Sequence, residues 1–328
     1  MNKTLPMPKT LQAAMAYFSD AQRTFDYAVK FRWPSGEITC PRCEGDKHSF
    51  ISTRRIWFCK SCKKQFTVKV GTIFEDSAIP MDKWMIAVWM IVNCKNGISS
   101  YEIGRALGVT QKSAWFMMHR IRLALHNKNF VRIGGSGKEI EVDETFIGGA
   151  ARFMHADKRR EKITDRGVKG KAAIMGILER GGKVHADVIP TRRKRDLQTR
   201  IRAHVKAESA IYTDALMSYV GLNRDYAHKT IDHAERYVDG QVHTNGLENF
   251  WSLLKRGLKG TYVNVEPFHL FRYLDEQVFR YNNRATKQHF VGDGDRFQMA
   301  MQHIANRRLT YAELTGKGTD SVHHEEAR

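Results

Sequence analysis

The spacing of apolar and polar residues divides the chain into a helical first part and a later part of strands and helices. Apolar residues three to four positions apart predict one helical stretch over 9–31 and further helices within 80–126. From residue 138 onward the period shortens to two, which is typical of half-buried strands. The predicted elements of this later part are strands at 138–149, 170–180, 181–190, 209–214 and 228–233, with helices at 192–207, 246–259 and 267–284. Three consecutive strands followed by alternating helices and strands predict a mixed α/β sheet rather than a doubly wound one.

Breaks in this pattern divide the chain into five regions. They are an N-terminal helical segment (1–35), a cysteine-rich unit (36–70), a helical region (78–128), the mixed-sheet region (136–286) and a C-terminal extension (287–328). The extension becomes polar after about residue 310 and is expected to be partly loose. Hydrophobic residues make up 42% of the chain, which is enough to build real cores.

Four cysteines in the second region form two closely spaced pairs. The pairs are CPRC and CKSC, which contribute Cys40, Cys43, Cys59 and Cys62. Two C-x-x-C pairs in one short segment are typical of a tetrahedral zinc site built from two knuckles. A redox pair or unliganded thiols would not require two matched pairs. Because four thiolates fill the coordination shell, we expect one structural rather than catalytic Zn²⁺.

The segment SSYEIGRALGVTQKSAWFMMHRIRLAL has the layout of a helix–turn–helix. A first helix ends at Gly108, the turn is GVT, and Thr110 is a suitable N-cap for the second helix. Gln111, Lys112 and Ser113 begin that second helix, where DNA-binding versions of the motif contact base edges. The alternative is a helical hairpin whose glycine serves packing alone.

Acidic residues stand in three predicted elements of the mixed-sheet region. Asp143 lies in the strand KEIEVDETFIGG, Asp214 ends the strand SAIYTD, and Glu248 lies on the helix GLENFWSLLKRGLK. Two carboxylates on strands and a third on a helix can hold two divalent ions about 3.5–4 Å apart, as two-metal phosphoryl transfer requires. Each residue has an ordinary explanation on its own, such as a turn or a helix N-cap. The combination favours the metal site.

The helix with Glu248 carries two further polar residues that fit this chemistry. Asn245 lies three positions earlier on the same helical face, and Lys255 lies two turns further along it. The lysine is placed to meet a DNA phosphate as a point charge. An amphipathic helix with a solvated charged face would explain the same residues taken alone.

The charge of the chain favours a polyanionic partner. The formal net charge is +19 and the sequence pI is near 9.8. Two basic runs, 151–171 and 192–206, are predicted to follow the phosphate backbone, although a solvated surface would explain them as well. The predicted DNA contacts outside the helix–turn–helix are Arg159, Arg160, Arg193, Arg195, Lys255 and Arg256. No apolar stretch of about 20 residues and no secretory leader is present, so we expect a cytoplasmic protein without a membrane span.

Several motifs together resemble the bacterial insertion-sequence transposases that join an N-terminal zinc ribbon to a DDE domain of ribonuclease-H-like fold. The motifs are RWPSGEITCPRC, CKSCKKQFTVKVGTIFE, EVDETFIGG, YTDA, HTNGLENFWSLLKRGLKGTY and RYLDEQVFRYNNR. The resemblance covers about Arg32 to Arg284. It implies DNA strand cleavage and transfer at transposon ends with two Mg²⁺ or Mn²⁺ ions. It also implies double-stranded DNA as the partner, a homo-oligomer on DNA and association with the nucleoid.

The resemblance assigns the acids residue by residue. Asp143 and Asp214 match the first two acids of the family. In much of the family the third position is Asn followed by Lys, and Asn245 matches that pattern, whereas Glu248 matches the general DDE pattern. An amide oxygen ligates Mg²⁺ without offsetting its charge, so we favour Glu248, with Asn245 as a second ligand or a substitute.

Two other functions remain open from the sequence. One is a zinc-ribbon and helix–turn–helix regulator that binds DNA without cutting it. The other is a ribonuclease-H-like nuclease that cleaves without joining. The acidic residues argue against the regulator, because a regulator does not need carboxylates that bind paired metals.

Overall fold

The computed structural model describes residues 7–127, 130–148, 171–214, 216–231, 243–287 and 289–317. The chain forms two compact units. The first unit comprises Met1–His126 and Asn283–Arg328, and the second comprises Asn127–Asn282.

The first unit begins with two helices where the sequence predicts one helical stretch. They are α1 (Leu11–Phe18) and α2 (Ala21–Arg32). The break falls at Asp20, whose side chain accepts a hydrogen bond from the backbone amide of Arg23 at 2.7 Å and caps α2. A residue that satisfies the free amides of a new helix start favours such a break over a continuous helix.

A three-stranded antiparallel sheet follows and carries the cysteines. Its strands are β1 (His48–Ile51), β2 (Ile56–Cys59) and β3 (Gln65–Phe66). Trp57 is buried and stacks on Phe66 with ring centroids 5.6 Å apart. This tryptophan therefore packs inside the small unit and is not available to stack on a nucleic-acid base.

Three helices complete the N-terminal part of the first unit. They are α3 (Met81–Asn93), α4 (Ser100–Leu107) and α5 (Gln111–Leu125). The C-terminal extension adds two more helices, Asp293–Met301 and Tyr311–Leu314. Phe297 of the former is fully buried against Phe18, Tyr27 and Trp89. The extension is thus part of the core of this unit, and a short helix occupies 311–314, where the sequence predicts a loose tail.

The second unit is built on a mixed five-stranded sheet, as the sequence predicts. Its strands are β4 (Glu139–Ile147), β5 (Ala172–Glu179), β6 (Val184–Ile189), β7 (Ala210–Asp214) and β8 (Ala227–Ile231), in the order β6-β5-β4-β7-β8. The pairs β4–β5 and β5–β6 are antiparallel, whereas β4–β7 and β7–β8 are parallel. This arrangement is consistent with a ribonuclease-H-like domain.

Helices cover both faces of this sheet. They are α6 (Lys194–His204), α7 (Asn245–Gly257) and α8 (Leu270–Asn282). Leu197 and Ile201 of α6 share one core with Ile140 and Val142 of β4. Apolar residues of α7 and α8 form a second core on the other face. Because side chains alternate along a strand, Glu141 and Asp143 point to the α7 face.

Candidate active site and metal centre

Asp143 lies at the contact between β4 and α7. Its carboxylate oxygen Oδ2 accepts a hydrogen bond from the indole nitrogen of Trp251 at 2.9 Å. The side chain of Asp143 is half-buried, and Trp251 is buried beneath it. One oxygen of this acid is therefore fixed in position by the helix that carries Glu248.

Asp214 reaches the same place from the neighbouring strand. The parallel register pairs Glu141 with Tyr212, so Asp143 and Asp214, each two residues further on, lie at the same level of the sheet. The oxygen Oδ1 of Asp214 accepts a hydrogen bond from the backbone amide of Leu216 at 3.1 Å. Asp214 thus closes a turn after β7, and the next described element is the short 3₁₀ helix Met217–Tyr219.

The pKa of Asp143 responds to the charges of the other two acids. Burial raises the pKa of Asp143 to about 6, against the hydrogen bonds from Trp251 and from the backbone of Glu144. The negative charges of Asp214 and Glu248 add to this rise. The three sequence-predicted acids therefore lie within electrostatic range of one another, where a bound cation would relieve their repulsion. Their oxygen atoms do not all lie within 4.8 Å of one another in the metal-free structure, so binding of a metal requires these side chains to move closer together.

Glu144 is a fourth acid of this cluster. Burial, together with the charges of Asp214 and Asp143, raises the pKa of Glu144 to about 8, while Arg192 opposes the shift. The hydroxyl of Tyr219 donates a hydrogen bond to Glu144. From the sequence Glu144 is a minor alternative to Asp143, because it is the neighbouring acid on the opposite face of the strand.

Glu141 holds the first turn of α7 against the sheet. It is 1% exposed, and its oxygen Oε2 accepts a hydrogen bond from the backbone amide of Leu247 at 2.9 Å. Its other oxygen accepts from Nε of Arg180 at 2.9 Å, and the same guanidinium donates to the carbonyl of His243 at 2.7 Å. This buried network positions the helix that carries Asn245 and Glu248.

Two glycines permit the close approach of α7 to the sheet. A Cβ added to Gly176, which pairs with Asp143 in the register of β5 and β4, would lie 2.7 Å from side-chain atoms of Leu247 and Trp251. A Cβ added to Gly246 would lie 2.7 Å from Oε2 of Glu141. Larger residues at either position would push the helix away from the strand that carries Asp143.

A groove beside the acids is lined by both acidic and basic side chains. Its volume is about 580 Å³, and its lining comprises Asp143, Glu144, Thr145, Glu248, Trp251, Ser252, Lys255, Arg256 and Lys259. The two predicted residues Glu248 and Lys255 therefore share one groove. Asn245, the other candidate for the third ligand, is the first residue of α7 and is exposed.

The four cysteines of the first unit meet as their spacing predicts. Their sulfur atoms all lie within 4.8 Å of one another, with 3.8 Å between Cys40 and Cys62 and 3.6 Å between Cys43 and Cys59. Sulfur atoms around a tetrahedral zinc ion with Zn–S bonds of about 2.3 Å lie about 3.8 Å apart. The cluster therefore fits a structural zinc ion.

Similarity to known proteins agrees with both sites. Residues 134–282 match the ISXO2-like transposase domain, and residues 19–65 match the transposase zinc-ribbon domain. Over 106 residues the chain is 33% identical to an uncharacterized transposase-like protein of Haemophilus influenzae, an alignment that covers 32% of this chain and 85% of the relative. The chain belongs to the ISXO2-like transposase family. It is also 27% identical over 258 residues to an uncharacterized protein in transposable element ISH50 of Halobacterium salinarum, covering 74% of this chain and 84% of that protein.

In this member of the ISXO2-like transposase family, the helix–turn–helix segment forms two capped helices. Ser99 and Glu102 form a capping box at the start of α4, and the hydroxyl of Thr110 caps α5 by accepting from the backbone amide of Ser113 at 3.1 Å. Gln111 and Lys112 are exposed, while Ser113 is half-buried. Gln111 donates to the hydroxyl of Ser100 at 2.8 Å. The two helices form where the sequence predicts them.

The remaining predicted DNA contacts of this family member fall into two groups. Arg193 and Arg195 are exposed at the start of α6, and Arg256 is exposed on α7. Arg159 and Arg160 lie outside the described residues. In the described part of the chain, no helix is long and apolar enough to cross a membrane.

Proposed function

We propose that this protein is a transposase that binds the terminal repeats of its element and catalyses metal-dependent DNA strand cleavage and transfer. The observation that carries the proposal is that Asp143 and Glu248 line one groove with Lys255, while the charges of Asp214 and Glu248 both act on Asp143. The match of residues 134–282 to a transposase domain supports it, because that range includes all of these residues.

The donor set of the proposed site suits two Mg²⁺ or Mn²⁺ ions. Asp143, Asp214 and Glu248 offer oxygen atoms, which are the ligands that these hard cations prefer. Burial is the main cause of the raised pKa of Asp143, and the charges of Asp214 and Glu248 add to it, so a bound cation would favour the ionised acid. When bound, two such ions would polarise the scissile phosphate and activate water or a DNA 3′-hydroxyl.

The chain itself contributes ligand positions and positive charge. The hydrogen bond from Trp251 holds one oxygen of Asp143, and the bond from Leu247 to Glu141 holds the helix that carries Glu248. Lys255 and Arg256 line the groove and would bind phosphates of the substrate. The proposed reaction has no covalent protein–DNA step, because its nucleophiles are water and a DNA 3′-hydroxyl. The hydroxyl groups of Tyr212 and Tyr262 donate hydrogen bonds to Glu139 and Glu276 and are assigned structural roles.

The proposal assigns sequence-specific binding of transposon ends to the first unit. Gln111 and Lys112 are exposed at the start of α5, where a recognition helix contacts bases in the major groove. The exposed Arg193 and Arg195 of α6 would bind the DNA backbone without reading its sequence. Strand transfer joins two ends to one target, so we also propose that the protein acts as a homo-oligomer on DNA.

Strand transfer with a labelled DNA duplex tests the function. The duplex ends in the inverted repeat that flanks the gene, and the reaction contains Mg²⁺ and a plasmid target. We expect the wild type to nick the end and join it to the plasmid, whereas Asp143→Asn and Asp214→Asn bind the duplex and leave it intact. Glu266→Gln is the matched control, because Glu266 is an exposed acid of the same unit away from the groove.

Each alternative function predicts a different result in this assay. A regulator would bind the repeat and leave it uncut at any metal concentration. A nuclease would cleave the duplex without producing joined plasmid. Full joining by Asp214→Asn would overturn the proposed mechanism.

The same assay decides the third ligand. We expect Glu248→Ala to abolish joining and Asn245→Ala to reduce it. Normal joining by Glu248→Ala together with loss in Asn245→Ala would transfer the assignment to Asn245.

A further inference from the structure

Two histidines and an aspartate meet on the second unit, away from the proposed active site. His185 and Asp187 lie two positions apart on β6, and His204 is the last residue of α6. One potential ligand atom from each residue lies within 4.8 Å of the other two. In the described part of the chain, this is the one set other than the four cysteines that meets this criterion.

The three side chains are held together by direct contacts. His185 donates from Nε2 to Oδ2 of Asp187 at 2.7 Å. The imidazoles of His185 and His204 stack with ring centroids 3.7 Å apart and an interplanar angle of 20°. The ring of Phe130 packs against both, at 4.7 Å from His185 and 5.9 Å from His204. The cluster is therefore an ordered arrangement with an apolar cover on one side.

A backbone hydrogen bond fixes the tautomer of His204. Its Nδ1 lies 3.0 Å from the carbonyl oxygen of Arg200, which can only accept, so Nδ1 carries the proton. The lone pair of Nε2 is then free for a cation. A ligating histidine that donates its other ring N–H to a backbone carbonyl is the usual outer-shell arrangement of protein metal sites.

The separations and the exposure suit a bound ion. Ligand atoms around a four-coordinate ion at about 2.0–2.1 Å lie about 3.4 Å apart. A cation would replace the proton shared by His185 and Asp187, which lie 2.7 Å apart, once that contact opens. Because an imidazole lone pair lies in the plane of its ring, one of the two stacked rings must also rotate to direct its nitrogen at the same ion. The side chains of His185 and Asp187 are 18% and 37% exposed, so an ion can reach them from solvent.

The cluster is separate from the proposed active site. Asp187 lies on the edge strand β6, whereas Asp143 lies on β4, two strands further into the sheet. His204 approaches from α6, which covers the opposite face of the sheet from α7. Nothing in the proposed phosphoryl-transfer chemistry uses these three residues.

We infer that His185, Asp187 and His204 form a site for one divalent transition-metal ion, with Zn²⁺ as the ion of choice. Two imidazoles and a carboxylate are borderline donors that favour such ions over Mg²⁺. Three protein ligands leave one coordination position for water. The bound ion joins edge strand β6 to the end of α6 and so fixes the helix that carries the exposed Arg193 and Arg195.

Metal content of the full-length protein tests the site. The protein is equilibrated with Zn²⁺, desalted and analysed for zinc per chain by mass spectrometry. We expect two zinc ions for the wild type and for His289→Ala, an exposed histidine outside the cluster that serves as the matched control. His204→Ala is expected to retain one. Asp187→Asn, which keeps the size of the side chain, is expected to weaken the second site at least tenfold.

Co²⁺ distinguishes the two sites in the same molecule. The cysteine site gives a sulfur-to-metal charge-transfer band, and the histidine site gives only ligand-field bands because its donors are nitrogen and oxygen. We expect the second equivalent of Co²⁺ to add ligand-field absorption without charge transfer, and His204→Ala to lose only that increment. One zinc ion in the wild type, or two in both His204→Ala and Asp187→Asn, would overturn the inference. Retention of the charge-transfer band reports that the cysteine site of a variant is intact.

Discussion

The carboxylate of Glu141 and the backbone amide of Leu247 lie 2.9 Å apart and connect β4 to the first turn of α7. Strand β4 also carries Asp143, and helix α7 also carries Glu248. A hydrogen bond from a buried carboxylate to a free amide at a helix start satisfies both groups and also suits the positive end of the helix dipole. The distance between the two proposed metal ligands is thus set by a residue that contacts neither substrate nor metal.

Replacing Glu141 by glutamine should uncouple the strand from the helix. The change leaves the guanidinium of Arg180 without its buried counterion and weakens the bond to Leu247. Removing one partner of a buried ion pair typically costs about 3–5 kcal/mol. We expect a loss of this size in the free energy of unfolding, measured by urea denaturation, together with reduced strand transfer at saturating Mg²⁺.

Glu139→Gln is the matched control for this prediction. Glu139 contacts the same guanidinium at 3.1 Å, but its side chain is 33% exposed. Ion pairs of that kind contribute about 0–1 kcal/mol. Equal losses in the free energy of unfolding from Glu139→Gln and Glu141→Gln would show that the burial of Glu141 does not determine the stability of the network.

The sequence predicts the strands and helices of the second unit better than the contacts between them. Alternation along β4 correctly places Glu139, Glu141 and Asp143 on one face, because the strand period is local. The partners of these acids, Arg180 and Trp251, depend on strand register and helix packing, which no local pattern encodes. His185 and His204 escape the sequence prediction for the same reason: a strand residue and the end of the next helix meet only after folding.

Removing the indole donor should weaken metal binding at the proposed site. Trp251→Phe deletes the hydrogen bond to Asp143 and keeps an aromatic ring in the core. That bond lowers the pKa of Asp143, so its loss favours the protonated, non-ligating form. Loss of an outer-shell partner typically costs about 10–100-fold in metal affinity. We expect the Mg²⁺ concentration for half-maximal strand transfer to rise by about tenfold.

Trp84→Phe provides the comparison for Trp251→Phe. The indole of Trp84 donates to the hydroxyl of Ser77 at 3.0 Å in the first unit, so the same type of bond is lost away from the acids. We expect an unchanged Mg²⁺ dependence for this variant. If the Mg²⁺ dependence of strand transfer shifted equally in both variants, the cause would be general destabilisation rather than loss of the bond to Asp143.

The shifted acids predict that Mg²⁺ stabilises the protein most at alkaline pH. Folding raises the pKa of Asp143 from 3.8 to about 6 and that of Glu144 from 4.5 to about 8. The folded state then binds more protons than the unfolded chain between these values, so metal-free stability falls as pH rises through 6 and 8. A bound cation offsets this loss once the acids are ionised. We expect Mg²⁺ to raise Tm more at pH 8.5 than at pH 5.5.

Calorimetric scans with and without Mg²⁺ at the two pH values measure this difference. Glu144→Gln removes one buried negative charge, so its metal-free Tm at pH 8.5 should exceed that of the wild type. An equal Mg²⁺ effect at both pH values would contradict the proposed coupling of the acids to metal binding.

Zinc removal should open the small sheet of the first unit. Hydrogen bonds within the cluster shift the pKa values of its thiols. The bond from the backbone amide of Cys62 is the largest cause that lowers the pKa of Cys59 to about 6. Without a cation the cluster cannot hold four thiolates, so we expect a strong chelator to expose Trp57, which is buried beside it. The measurement is the red shift of tryptophan fluorescence, with Cys43→Ser expected to show the shift before chelation. An unchanged spectrum in both cases would contradict a structural role for the ion.

A single methyl group at Gly176 should separate α7 from β4. The Cβ of Gly176→Ala would lie 2.7 Å from both Leu247 and Trp251, which are buried and cannot move freely. Overpacking of this kind typically costs about 1–3 kcal/mol. Because these two side chains belong to the helix with Glu248, we expect strand transfer to fall more than the remaining folded fraction explains. Gly260→Ala, whose Cβ meets no atom within 4 Å, should retain both stability and joining. Circular-dichroism melts measure the stability of both variants, and the joining assay measures their strand transfer. Equal joining by the two variants would show that the position of α7 does not limit strand transfer.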